Sequence, residues 1–151
     1  CRFLSHAARE LGLENVTVVC DRAERAGHNR GRAVDHAGQR SRVGALRASF
    51  DLAVARAVGR LPTLLELTAP FVEAGGLCAL IKGERAEEEL ADADVALAEL
   101  RSSHAGTIPT PTGNIVVIER LAPIARLYPR ADGLAKAKPL GAAKQADRKP
   151  Q

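Results

Sequence analysis

Four short runs of this chain, 16–20, 50–56, 77–81 and 114–120, are built mainly of apolar and β-branched residues, with most of their charges at the ends. Such runs suit strands covered on both faces, the condition of a parallel sheet in an α/β protein. The stretches between them carry helical spacing. Phe3, Leu4, Ala7, Ala8 and Leu11 share one face of a helix over 2–11, and Gly12 is placed to end it. Pro62 fits the first position of a second helix, and Gly75-Gly76 is placed to close the connection after it. Residues 84–101 are Glu- and Ala-rich, with Leu90, Val95, Leu97 and Leu100 as the apolar positions of a third. The alternation predicts a parallel sheet with helices on both faces. Pro109, Pro111 and Gly113 predict a turn before the last strand. A chain of 151 residues is one domain's worth.

Open α/β sheets bind ligands in the crevice beyond the carboxyl ends of their strands. Three such ends are visible: Asp21 to Glu24, Arg56 to Gly59, and Lys82-Gly83. A carboxylate there accepts from a ribose hydroxyl or an amine, and the cations hold a carboxylate or a phosphate. Arg56, set between Ala55 and Ala57, is the most informative of these residues. Asp21 and Arg22 read as charges that cap a strand and solvate a loop. Glu87, Glu88 and Glu89 read as a solvated face near a helix N-terminus, where they favour the helix dipole. No glycine-rich G-x-G loop occurs, so the residues themselves carry no cofactor signature.

Composition narrows the field further. Phe3, Phe50, Phe71 and Tyr128 are the only aromatic residues, so base stacking on aromatic platforms has little to work with. No run has the length of a membrane span. Cys1, Cys20 and Cys78 show no metal spacing, and the apolar runs around Cys20 and Cys78 predict buried, reduced thiols. Residues 25–49 interleave arginines with glycines, His28 and His36, which predicts a polar, mobile insertion or a short helix with loops, its histidines on the surface. From Ile124 to Gln151 seven Lys/Arg stand against two Asp, while the whole chain carries +4. A basic tail on a near-neutral body suggests a polyanionic partner such as nucleic acid, with a solubilising end as the plain alternative. Pro129 and Pro139 bracket a segment expected on the surface, with disorder after Gly141.

The ordered segments Arg2-Phe3-Leu4, Glu10 to Val16, Arg22-Ala23-Glu24, Phe50 to Val58, Leu61 to Leu67, Gly75-Gly76-Leu77 and Leu80 to Gly83 carry a resemblance. The tail segments Leu127 to Arg130 and Lys138 to Leu140 extend it. With them the chain resembles the C-terminal two-thirds of the bacterial small-subunit ribosomal RNA guanine-N7 methyltransferase family, also called glucose-inhibited division protein B. The resemblance implies a Rossmann-like class I methyltransferase sheet, α/β, with the last strand antiparallel. It is expected to be incomplete, its first two strands and glycine-rich loop lying upstream of Cys1. Residues 1–122 would form the C-terminal part of the methyltransferase domain, with 25–49 inserted, and 123–151 a basic, partly disordered tail.

The resemblance also implies S-adenosylmethionine as cofactor. Ala23 and Glu24 fall on the family's contact to its adenosine end, Arg56 on a cofactor or active-site arginine, and Lys82 on a lysine near the site. Arg56 and Lys82 are thus the implied catalytic residues. The implied partner is 16S ribosomal RNA or the small ribosomal subunit and the setting cytoplasmic; the oligomeric state is left open, with a monomer as the expectation. The absent upstream half of the pocket predicts a chain inactive and poor at holding the cofactor by itself. Pro111 to Asn114 replaces the Gly-Glu-Arg-His of many members, removing an arginine on the RNA side. Two other readings compete: a non-catalytic ribosomal RNA or ribosome-binding fragment, and a different Rossmann-like enzyme such as a nicotinamide dehydrogenase.

Overall fold

The computed structural model describes residues 1–28, 32–34, 40–42 and 46–142. Its centre is a mixed four-stranded sheet in the order β3-β4-β6-β5. These strands are β3 (Phe50–Arg56), β4 (Val72–Lys82), β5 (Ser102–Thr110) and β6 (Gly113–Arg120). β3 and β4 run parallel, and β6 lies antiparallel between β4 and β5. The last strand is therefore the antiparallel one, as the resemblance implies.

Only one face of the sheet carries the core. Cys78 pairs with Ile118 and Leu80 with Val116 in register, and all four are fully buried. Against them pack α3 (Leu61–Thr68), α4 (Ala86–Ala91) and α5 (Asp94–Glu99), through Leu61, Leu64, Leu65, Ala93, Ala96 and Leu100. Each large aliphatic side chain so buried contributes about 2 kcal/mol of transfer free energy. The opposite face exposes Leu52, Val54 and Leu77. The expectation of helices on both faces is thus corrected among the described residues. Helix α1 (Arg2–Glu10) has the expected amphipathic pattern, but none of its residues is buried.

The run Val16–Cys20 forms an isolated bridge at Val19 and no strand. With no ladder to enter, Val16 is exposed and Cys20 reaches the surface, where it forms a disulfide with Cys1. That corrects the reading of Cys20 as a buried thiol. Cys78 is buried and free, and burial pushes its thiol pKa up. A short helix α2 (Ala23–Ala26) follows. Inside the polar stretch, β1 (Arg32–Val34) and β2 (Arg40–Arg42) pair antiparallel, where loops or a short helix were expected. His36 lies outside the described residues.

Three further differences have local causes. Gly75 and Gly76 do not close a connection but sit inside β4, at a register shift against β3. A Cβ on Gly76 would meet the Asp51 carbonyl at 2.7 Å, so only glycine lets the two backbones approach. The expected single helix over 84–101 is two helices, and the break is marked by Asp92, which pairs with Arg60. The strand β5, Ser-Ser-His-Ala-Gly-Thr-Ile-Pro-Thr, has no apolar run to announce it; as an edge strand it tolerates Gly106 and Pro109.

Residues 121–142, the segment after β6, are not a loose surface tail. Ile124, Tyr128, Ala135 and Leu140 are buried, the last in the short helix-bearing stretch around α6 (Leu134–Ala137). Its main fastening is Glu66 of α3, which is wholly buried. Glu66 accepts hydrogen bonds from the Arg130 backbone N–H at 2.8 Å, Nε at 2.9 Å and Nη2 at 2.6 Å. Removing one partner of a buried pair leaves an uncompensated charge. Arg130→Met should therefore cost about 3–5 kcal/mol in urea denaturation, and adding Glu66→Leu should restore part of it.

Candidate functional site

Arg56 closes β3 and pairs in register with Ile81 of β4. Directly paired residues in neighbouring strands face the same side of a sheet. Arg56 therefore stands with Leu52 and Val54 on the open face, exposed, with no hydrogen bond or ion pair to any described residue. Lys82 follows Ile81, so it points to the other face, toward the helices. The structure brings these two residues to the same end of the sheet but not to the same side.

The loop between them is tightly held. Ala57 has a left-handed backbone at φ 58°, and Gly59 follows at φ 148°. Lys82 Nζ donates to the Gly59 carbonyl at 2.6 Å and pairs with Glu89 Oε2 at 2.7 Å. The same Oε2 accepts the backbone N–H of Leu61, the first residue of α3, at 2.7 Å. Glu88 is solvated and pairs with Arg85, as expected of the acidic run, but Glu89 is largely buried, with its side chain 14% exposed. Glu89 is a residue that sequence reasoning passed over. Its run of three glutamates hides which one faces inward, and helical phase from Ala86 was the available signal.

Ala23 and Glu24 lie on α2, and Glu24 is buried. Its Oε1 accepts from Arg22 Nη2 at 2.8 Å and from the Gly133 backbone N–H at 2.8 Å. Burial opposes ionisation, but the Arg22 hydrogen bond and the Gly133 amide outweigh it and hold the carboxyl below the ordinary glutamate range. Beside it lies a cleft of about 610 Å³, lined by Glu24, Arg25, His28, Pro129, Arg130 and Asp132. Arg25 pairs with Asp132 at 2.5 Å, and His28 Nε2 donates to the Pro129 carbonyl at 2.6 Å. Arg47 donates to the carbonyls of Gly27, Ile124, Ala125 and Tyr128. No hydrogen bond joins Glu24 to Arg56; the first faces the C-terminal segment and the second the open sheet face.

The described sheet and its charged carboxyl end define a mixed α/β protein of methyltransferase-like fold. The family model for rRNA small subunit methyltransferase G matches residues 1–110. The chain belongs to that family of rRNA methyltransferases. It is 44% identical over 118 residues to Ribosomal RNA small subunit methyltransferase G of Sorangium cellulosum, covering 78% of this chain and 43% of that protein. It is 38% identical over 144 residues to the protein of the same name from Brevibacillus brevis, covering 91% of this chain and 55% of that one. The corresponding Staphylococcus epidermidis protein is 34% identical over 145 residues, covering 92% of this chain and 54% of that one. The chain spans about half the length of the curated relatives it matches.

Because the Glu24 carboxyl is held below its ordinary value, its bond to Gly133 is at full strength above the ordinary glutamate range. That bond is lost only as pH falls through the depressed value of the folded protein. The Gly133 amide proton shift should therefore titrate at a pH below that of an unperturbed glutamate. In Glu24→Gln the acid-side transition should disappear.

Proposed function

We propose that the protein carrying this chain transfers a methyl group from S-adenosylmethionine to guanine N7 of 16S ribosomal RNA in the small subunit. The observation that carries the proposal is Arg56, an exposed guanidinium with no partner among the described residues, at the carboxyl end of a parallel strand in a chain of this family. The same substrate sets a cytoplasmic location.

The donor set suits the cofactor. Arg22 and the Gly133 N–H both bind Oε1 of Glu24, so the carboxylate keeps acceptor capacity for a ribose hydroxyl or an adenine amine. Ala23 and Glu24 would hold the adenosine end. Arg56 would hold the methionine carboxylate or orient the guanine at O6. Lys82 belongs to the same end of the sheet. The cofactor, when bound, supplies an electrophilic methyl on a sulfonium. Guanine N7 carries a free lone pair in the major groove, so no general base is required. The residues of the chain then contribute position: the base held still and N7 aimed in line.

Exposed Arg126, Lys136 and Lys138 support contact with the RNA backbone, while Arg130 is spent on Glu66. They also favour the second reading, a ribosomal RNA-binding fragment without catalysis. The two part on cofactor binding: salt-dependent RNA binding with no S-adenosylmethionine binding favours the fragment. In the protein expressed from its complete reading frame, Arg56→Ala should lower 16S methylation by well over tenfold, about 1.4 kcal/mol or more. Unchanged turnover removes Arg56 from the site.

A further inference from the structure

We infer that Glu89, acting with Lys82, is a positioning residue that sets the loop after Arg56 and so aims the guanidinium at its ligand. The inference rests on the methyl-transfer reading above and assigns within it a role to a residue that contacts neither reactant.

The observations converge on four residues of backbone, Ala57 to Arg60. This loop is all that separates Arg56 from α3. It begins in strain, because Ala57 holds the left-handed conformation, a state that costs a non-glycine residue about 1 kcal/mol or more. Such a conformation persists only where the surroundings impose it. Three side chains hold the residues that follow Ala57, and all come from β4, α4 and the residue that ends α4. Lys82 takes the Gly59 carbonyl, Glu89 takes the Leu61 N–H, and Asp92 takes the Arg60 guanidinium. Glu89 is the hinge of the set, since one oxygen serves both Leu61 and Lys82.

Stability alone does not account for this arrangement. The Leu61 N–H is an unpaired donor at a helix start, and water or a neutral side chain would satisfy it without burying a charge. The chain instead uses a carboxylate from another helix and neutralises it with an ammonium, both largely removed from solvent at 14% and 10% exposure. A desolvated ion pair returns little net stability. What it does give is a fixed distance between β4, α4 and the loop. Lys82 is on the far face of the sheet from Arg56, with its charge already engaged. It is therefore the wrong side chain to touch the ligand held by Arg56, and the right one to hold the loop that carries it.

The test uses the protein expressed from its complete reading frame, with 30S subunits lacking the modification as substrate. Glu89→Gln keeps the shape and an acceptor for Leu61 but removes the charge that holds Lys82; Lys82→Met removes the other half. Each should lower kcat about tenfold or more, with KM for the subunit within about twofold, measured at a temperature where circular dichroism shows each variant fully folded, since each also leaves one partner of a desolvated pair uncompensated. The double variant should be no worse than either single one, because both break one unit. Amide exchange at Leu61 should quicken in Lys82→Met. Additive losses, or a rise in KM with kcat intact, overturn the positioning role. Wild-type kinetics in both variants beside an inactive Arg56→Ala overturn it alone. A wild-type protein that binds subunits but leaves them unmethylated overturns the methyl-transfer reading and this role with it.

Discussion

The charge on Glu66 has to be compensated where it stands, on a helix with no access to solvent. Taking a carboxylate out of water costs several kcal/mol even after relaxation. Arg130 supplies the compensation with three N–H groups, one from the backbone and two from the guanidinium. That requirement fixes the path of everything after β6. Once Arg130 is at α3, Tyr128 falls into the core with its hydroxyl on Glu99, and Gly133 comes to Glu24. The carbonyls that the irregular segment leaves without a ladder are then gathered by Arg47. The buried pair thus ties the last part of the chain to the short helix that carries the candidate adenosine contact.

The sheet has a different organising constraint. β4 is paired on both sides and its backbone is approached closely from each. On one side Gly76 admits the Asp51 carbonyl, and on the other Gly113 admits the Lys82 carbonyl, where any Cβ would overlap it. Both glycines are demanded by contact, and together they lock the register that sets Arg56 beside Ile81. The price appears at β3, an edge strand that shows Phe50, Leu52 and Val54 to solvent. A parallel, apolar edge is the least protected part of the described molecule.

The sequence made the sheet legible where apolar runs were continuous. Residues 50–56, 77–81 and 114–120 all lie in strands, and Pro62 sits in the first turn of its helix. It failed where strand-forming depends on a neighbour. Val16–Cys20 has the right residues and no ladder, whereas β5 has poor residues and β6 beside it. Tertiary context decides β structure in both directions. Of the candidate site, the strand ends at Arg56 and Lys82 were legible, because the carboxyl end of a strand can be counted along the chain; Glu24 follows a run that forms no strand. The face was legible too, in principle: Arg56 and Lys82 differ in parity relative to their paired register. The register itself was not, since it depends on the bulge at Gly75-Gly76. The partners Glu89, Asp132 and Gly133 come from distant segments and leave no local pattern.

Parity has a chemical consequence. Had Arg56 and Lys82 shared a face, two free cations would have met one ligand, an arrangement suited to a phosphate. Instead the sheet separates them. The ammonium is satisfied on the helix side by Glu89 and the Gly59 carbonyl, and the guanidinium stands on the open side with no partner among the described residues. Methylation of a nitrogen that already bears a lone pair asks for little proton transfer and much aim. For the proposed transfer, a single planar donor at the end of a strand, followed by a loop braced from behind, fits that demand better than a cluster of charges. It offers the fork geometry that a carboxylate or a guanine edge can meet, from a backbone with few other conformations open to it.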